Sequence, residues 1–348
     1  MGAKAFVMAS EASYPRSVFV YELITGGGLY SVPGSPAPSG SLLKEGTAML
    51  AAVVEDFAAI DGVSVTVLRD SRLPMLSVAA AEQITVEGPE GERIAFRDAA
   101  ASTEATLVIA PEFDGLHLAR TQWAEEEGAF LMSPDSTFVQ LASCKWKCFQ
   151  QWRELSVRTI DTFRVAERAT WEHLLDIPVV TKPSDGAGSE GVLSWNAGFE
   201  LNGELLGNEK YLIQPRIFGD AVSCSALGNG ADFFLLPAAF QSLDKDLKYH
   251  GGCLPIPMEL NLRAHRLAAQ AIRAMPPFRG YVGLDMILGP CPDGKDDVAV
   301  DLNPRLTSSY VGLRLFLKNN LAQAMLDVVA GQSFEPRVGC GEIDFEIL

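Results

Sequence analysis

The order of strand-like and helix-like segments constrains this chain more than any other feature. Residues 17–24, SVFVYELI, are β-branched and aromatic and read as a strand. The loop Thr25-Gly26-Gly27-Gly28 follows, and Pro33, Gly34, Pro36 and Pro38 make an irregular connection. Ser41 is placed to cap a helix, in which Leu42, Leu43, Met49, Leu50, Val53, Val54 and Phe57 keep helical spacing until Gly62. Residues 63–68 and 106–110 read as strands, 117–127 as a helix and 129–132 as a short strand. Strands alternating with helices predict a parallel sheet covered on both faces.

Ser133-Pro134-Asp135 breaks that alternation. A helical segment at 144–155 is followed by strands at 177–181, 210–214, 221–227 and 233–240. A helix at 262–275, strands at 281–288 and 297–302, and a last helix at 311–330 complete the chain. Runs of strands beside helices predict an α+β region after an α/β one. The expected division is an α/β domain over residues 1–135 and a second domain over 136–348.

Composition narrows the function classes. A chain of 348 residues with 48% hydrophobic residues is long enough for one large or two medium globular domains. Acidic residues number 44 against 28 basic, a net charge of −16, which argues against nucleic-acid or membrane-surface partners. The apolar stretches fall short of a membrane span. The N-terminal residues lack the pattern of a signal peptide or anchor, and Phe6 stands where Gly2 myristoylation needs Ser or Thr. Six cysteines without a C-x-x-C pair predict neither zinc nor a disulfide framework, and the expected compartment is a reducing cytoplasm.

Three constellations carry chemistry. In Val179-Val180-Thr181-Lys182-Pro183-Ser184-Asp185-Gly186-Ala187-Gly188-Ser189-Glu190-Gly191-Val192, a strand delivers a lysine and then a turn of small residues. Glycines let backbone N–H groups approach phosphate oxygens, because no Cβ blocks them. In a Walker loop the lysine follows the glycines and opens a helix. Here it precedes them and a strand follows, so the segment reads as a hairpin-like phosphate cover or an ordinary glycine-rich hairpin. The second constellation is two apolar strands that each carry one acid, Asp285 and Asp301, with Asn303 and Arg305 just beyond. Paired antiparallel, the strands can bring both carboxylates to one face. With the Asn303 amide they form a hard oxygen set suited to Mg²⁺, and Arg305, on the side of Asn303, can reach a phosphoryl oxygen. Solvated strand ends would explain the acids too, but acids buried in apolar strands need partners. In the third, the strand ending at Gln214-Pro215-Arg216-Ile217 leaves a backbone free to pair with an adenine edge, and Asp220 could meet ribose hydroxyls. Taken alone, these residues read as a plain strand and turn.

In order and spacing the three resemble the ATP-grasp superfamily, over about residues 133–330. That resemblance implies an ATP-grasp fold behind an N-terminal α/β pre-ATP-grasp domain, with ATP held between two α+β subdomains. It implies Lys145 and Lys182 as the ATP lysines, and Gly186, Ala187, Gly188 and Ser189 as the flap. Gln214, Arg216 and Ile217 would be the adenine hinge, with Asp220 at the ribose. It further implies Asp285, Asp301 and Asn303 as ligands of Mg²⁺ or Mn²⁺, and Arg305 as the phosphate-binding, catalytic arginine beside Lys182. Phe19–Gly28, Lys248-Tyr249-His250-Gly251-Gly252 and 303–310 resemble its tyramine–glutamate ligase branch, which serves methanofuran-type one-carbon cofactor synthesis.

The resemblance implies an ATP-dependent carboxylate–amine ligase acting through an acyl phosphate, with glutamate as the acid and tyramine or a related amine as acceptor. Family members are often homodimers. Three positions depart from the family pattern: Asp301 where Glu is usual, Gln214 where many members carry Glu, and Cys144 before the first lysine. The first supports an alternative, an ATP-binding sensor or scaffold of the same fold without turnover. A dinucleotide-dependent dehydrogenase is a third reading, but the first glycine turn lacks G-x-G-x-x-G spacing. His250, Lys248, Glu22 and Gly26–28 are further candidates for substrate contact, each equally explained as loop or turn structure. Cys144 and Cys148, four apart, read as helix packing.

Overall fold

The computed structural model describes residues 15–347 except Ala79. The leader and lipidation signals sought at residues 1–14 lie outside it. The first region comprises β1 (Ser17–Glu22), α1 (Gly40–Ala58), β2 (Ser64–Asp70), β3 (Ala81–Val86), α2 (Gly88–Ser102), β4 (Ala105–Ile109) and α3 (Leu116–Glu126). Its four strands lie parallel in the order β3-β2-β1-β4. Val18, Phe19, Val20 and Tyr21 of central β1 are all fully buried, so side chains on both of its faces lie in the core.

Next come α4 (Ser136–Ala142), α5 (Lys145–Glu154), β5 (Phe163–Arg164), α6 (Arg168–Trp171), β6 (Val179–Pro183), β7 (Leu193–Trp195), α7 (Gly203–Leu206) and β8 (Tyr211–Pro215). Their strands form a small antiparallel sheet, β5-β8-β6-β7. The last region runs through β9 (Asp220–Asn229), β10 (Phe233–Leu235), β11 (Ala239–Leu243), β12 (Tyr249–Leu254), α8 (Met258–Arg273), β13 (Arg279–Leu288), β14 (Val298–Asn303), α9 (Ser309–Phe316), α10 (Leu321–Val329) and β15 (Ile343–Glu346). These strands make the large antiparallel sheet β14-β13-β9-β11-β12-β15, with β10 also on β9.

Helix α8 packs Ala264, Leu267, Ala268 and Ala271 into the core beside the large sheet. A second core is continuous from Val20, Val53 and Phe57 to Leu321 and Met325, so α1 packs against α9 and α10. Buried Asp56 fixes that contact: Tyr310 Oη donates to it at 2.7 Å and Arg314 pairs with it at 2.8 Å. Among the described residues no helix is long and apolar enough to cross a membrane.

Several expected elements differ. The strand expected at 233–240 is interrupted between β10 and β11, both paired to β9, at Pro237, which has no N–H to give the ladder. The helix expected at 311–330 breaks after Phe316. Leu317 is extended, Lys318 N donates to Arg337 O at 2.8 Å, and the Asn320 side chain caps a new helix through Gln323 N. Residues 129–132 form one bridge, Leu131 to Thr106, rather than a strand. Ser39, not Ser41, is the N-cap of α1.

Candidate active site

A cavity of about 370 Å³ lies between the small and large sheets, reached also by α1 and α5. Strand register builds its centre. Antiparallel β13 and β14 set Asp285 directly opposite Asp301, and an irregularity follows at once, since Met286 pairs with Ala299 and Val300 is left over. Both carboxylates line the cavity. Gln241 Nε2 donates to Asp285 Oδ1 at 2.8 Å, and Asn303 Nδ2 donates to Oδ2 at 3.1 Å. Burial, then the facing Asp301, raises the Asp285 carboxyl to about 6. Like charges placed opposite each other repel, and a divalent cation on these oxygen donors would relieve that repulsion. The donor set therefore fits Mg²⁺.

Two lysines face this pair. Lys145 opens α5, where its N–H donates to Ser184 O at 2.7 Å. Its Nζ meets Asp301 Oδ2 and Gly186 O, each at 2.9 Å. Burial alone would lower this amine, but Asp301 and Glu112 outweigh it and hold it above its ordinary value. Lys182, at the end of β6, forms no ion pair among the described residues; its hydrogen-bond acceptor is Val300 O at 3.5 Å. Burial pulls it down to about 8. Beyond it the chain turns through Gly186, Ser189 and Gly191 with φ of 122°, 58° and 71°. A Cβ on Gly186 would meet nothing within 4 Å, so its backbone is open to a ligand.

The link from β8 to β9 closes the other end. Gln214 is buried and donates to Thr162 Oγ1 at 2.7 Å. Arg216 is tied down by its N–H to Pro178 O at 2.9 Å and its Nη1 to Ser194 Oγ at 2.7 Å. No protein hydrogen bond reaches the Ile217 backbone among the described residues, and Ile160, Val180, Ile217, Met286 and Ile287 give an apolar lining. An adenine face and edge fit such a slot. This end therefore suits a base, and the lysines, open glycine backbone and paired carboxylates suit a metal-bound polyphosphate.

Residues 142–309 match the model of the ATP-grasp domain, and residues 63–139 match the pre ATP-grasp 3 domain. The chain belongs to the ATP-grasp superfamily. It is 23% identical over 303 residues to the tyramine–L-glutamate ligase of Methanocaldococcus fervens, covering 84% of this chain and 93% of that protein. Among solved structures it resembles a complex of biotin carboxylase with beta-gamma-ATP from Campylobacter jejuni, with TM-score 0.71, 13% identity, and coverage of 94% and 74% of the two chains. It also resembles an L-amino acid ligase from Bacillus licheniformis, with TM-score 0.66, 14% identity, and coverage of 93% and 75%. The fold is an ATP-grasp fold behind a pre-ATP-grasp domain, a type typical of ATP-dependent ligases.

Within this ATP-grasp cavity the structure gathers Lys145, Lys182, Gly186, Ala187, Gly188, Ser189, Gln214, Arg216, Ile217, Asp285, Asp301, Asn303 and Arg305. It does not bring in Asp220: that residue is exposed at the start of β9, opposite Leu288, while its neighbours Gly219 and Ala221 line the wall. Strand alternation turns the Asp220 side chain away. Arg305 lines the cavity but pairs with Glu112, Nε to Oε1 at 2.9 Å, and its Nη2 lies 3.4 Å from Asn303 Oδ1. Glu22 closes its own turn, accepting from Ile24 N at 3.1 Å and Thr25 N at 2.8 Å, and His250 contacts Asp244 at 3.2 Å. Neither these two nor Lys248 lines the cavity.

Sequence reasoning missed Glu45, Glu112 and Gln241. Glu112 lies just past the end of parallel β4, where open parallel sheets bind ligands, and that rule pointed to it. Glu45 and Gly46 interrupt the apolar face of α1, which was the signal there. A β-carbon on Gly46 would sit 2.6 Å from the Glu22 carboxylate, so a larger residue there would have to displace that side chain. Gln241 gave no signal, because only pairing with β12 and β9 carries β11 to Asp285.

Proposed function

We propose that this ATP-grasp protein is an ATP-dependent carboxylate–amine ligase acting through an acyl phosphate. The observation that carries the reading is the register pairing of Asp285 with Asp301 beside Lys182, a buried lysine without an ion pair among the described residues. In this reading Gln214, Arg216 and Ile217 hold adenine. Lys145, Lys182 and the open amides of residues 186–189 hold the phosphates. A divalent cation, Mg²⁺ or Mn²⁺, on Asp285, Asp301 and Asn303 supplies charge neutralisation at the transferring phosphoryl group. Arg305 turns part of its guanidinium from Glu112 to the acyl phosphate. Phosphoryl transfer asks for positioning and electrostatics more than covalent help. The glycine-rich turn shields the acyl phosphate from water.

We further propose glutamate as the acid and tyramine or a related amine as the acceptor, in methanofuran-type cofactor synthesis. The similarity to tyramine–L-glutamate ligases along most of both chains supports this. ADP release across a panel of amino acids crossed with amines tests it. Release that requires both glutamate and an amine is the expected result. Release with another acid alone would remove the substrate assignment and keep the ligase.

The Lys145–Asp301 and Arg305–Glu112 pairs favour a second reading, an ATP-binding sensor or scaffold without turnover, because key side chains are already partnered. No acid–amine pair would then raise ADP above background, while ATP with Mg²⁺ would still bind.

A further inference from the structure

The phosphate end of the cavity holds a cation, Lys182, without an ion pair among the described residues. The same cavity, beside the glycine-rich turn, holds an anion without one among the described residues. Glu45 of α1 lines the cavity, half-buried, and no hydrogen bond or ion pair reaches its carboxylate among the described residues. Its surroundings do not neutralise it. The nearby cation Arg305 is engaged by Glu112, and the other acid that acts on Glu45, Glu190, adds negative charge. Burial, with Glu190, outweighs Arg305 and raises the Glu45 carboxyl above its ordinary value. The glycine-rich turn sits over it: a β-carbon on Gly188 would be 3.6 Å from Glu45 Oε1 and 3.2 Å from Leu42 Cδ2. Tyr249 lines the same cavity, paired with Leu243 across the β11–β12 ladder, and Leu247 lines it too. An unpaired carboxylate beside an apolar wall is complementary to an ammonium group on an apolar body.

We propose that Glu45 is the docking carboxylate for a substrate ammonium group in this part of the cavity. The inference rests on the ligase reading. That reaction offers two ammonium groups, one on the attacking amine and one on the α-carbon of an amino-acid donor. In either case Glu45 positions the substrate through a charge-assisted hydrogen bond, and an attacking ammonium releases one proton to solvent before its nitrogen attacks the acyl carbon and phosphate leaves. It also couples the regions of the molecule, since α1 contributes the carboxylate and the glycine-rich turn closes over it.

The test compares wild type, Glu45→Gln and Glu45→Asp in two assays containing ATP, Mg²⁺ and L-glutamate. One assay supplies tyramine and reads the amide. The other supplies hydroxylamine, which is neutral at pH 7.5, and reads the hydroxamate. If Glu45 docks the attacking amine, Glu45→Gln raises the KM for tyramine about 10–100-fold, the worth of one charged hydrogen bond. The tyramine-to-hydroxylamine efficiency ratio falls by the same factor, and Glu45→Asp recovers part of it. If Glu45 docks the donor, the KM for glutamate rises by that factor in both assays. The KM for ATP, unmoved in both cases, reports an intact fold. Tyramine and glutamate KM values that both stay within twofold of wild type overturn the proposal and leave the ligase reading standing. A wild type that makes neither product overturns the glutamate assignment, and this proposal with it, while the wider panel of acids and amines decides the ligase reading.

Discussion

In the proposed ligase, Lys182 is the residue on which the chemistry turns. It is 5% exposed and lies close to two carboxylates, yet pairs with neither. Its burial costs the fold: the cost is present in full below about pH 8 and is relieved as the pH rises toward 10.5. The free protein keeps a cation there at pH 7 and loses it as the pH rises through about 8. ATP affinity therefore weakens above pH 8, and Lys182→Met flattens that dependence; calorimetric titration between pH 7 and 9.5 checks both. Lys182→Ala lowers kcat for ADP release about 10²–10³-fold, the usual worth of one preorganised charge contact. The Asp285–Asp301 pair was legible because single acids stood out in apolar strands. Gln241 was not legible, because its role arises only when distant elements meet. Glu112 and Glu45 did leave signals, a position just past β4 and a break in an apolar helix face, that were passed over.

At the scale of elements, the β8–β9 hinge depends on close backbone approach. A β-carbon on Gly219 would lie 2.4 Å from Leu288 O. Gly219→Ala must push β9 from β13 and shift Ile217 with it. It should destabilise by about 1–3 kcal/mol, the common cost of overpacking, and weaken ATP binding; a chemical-denaturation curve and an ATP titration read the two effects. Elements with a clear apolar stripe were legible, including β1, α1 and β13. Strand β3 was not, since it is an edge strand with one buried side chain, Val86. Helix α2 buries only Glu92, Phe96, Ala99 and Ala100, too small a face for the pattern to show. The break between α9 and α10 escaped because its cause, the approach of residues 337–339, comes from chain far beyond it.

Over the whole molecule, the net charge of −16 argues against a polyanionic surface partner, but the cavity inverts that argument locally. Lys145, Lys182, Arg216 and Arg305 meet at one cleft between the sheets, and with Mg²⁺ on Asp285 and Asp301 they would outweigh Glu45, Asp185 and Glu190 in the same lining. ATP with Mg²⁺ binding there should stabilise by about 2.7 kcal/mol at a hundred times Kd. The melting temperature should rise accordingly, while NAD should leave it unchanged. In the proposed reaction a substrate carboxylate attacks the γ-phosphate of ATP, and ADP leaves as the acyl phosphate forms. Glutamate labelled with ¹⁸O in its carboxylates, turned over with ATP and tyramine, tests it most directly by mass analysis of the phosphate released. One labelled oxygen in each phosphate is the predicted result; product formed with unlabelled phosphate would contradict it.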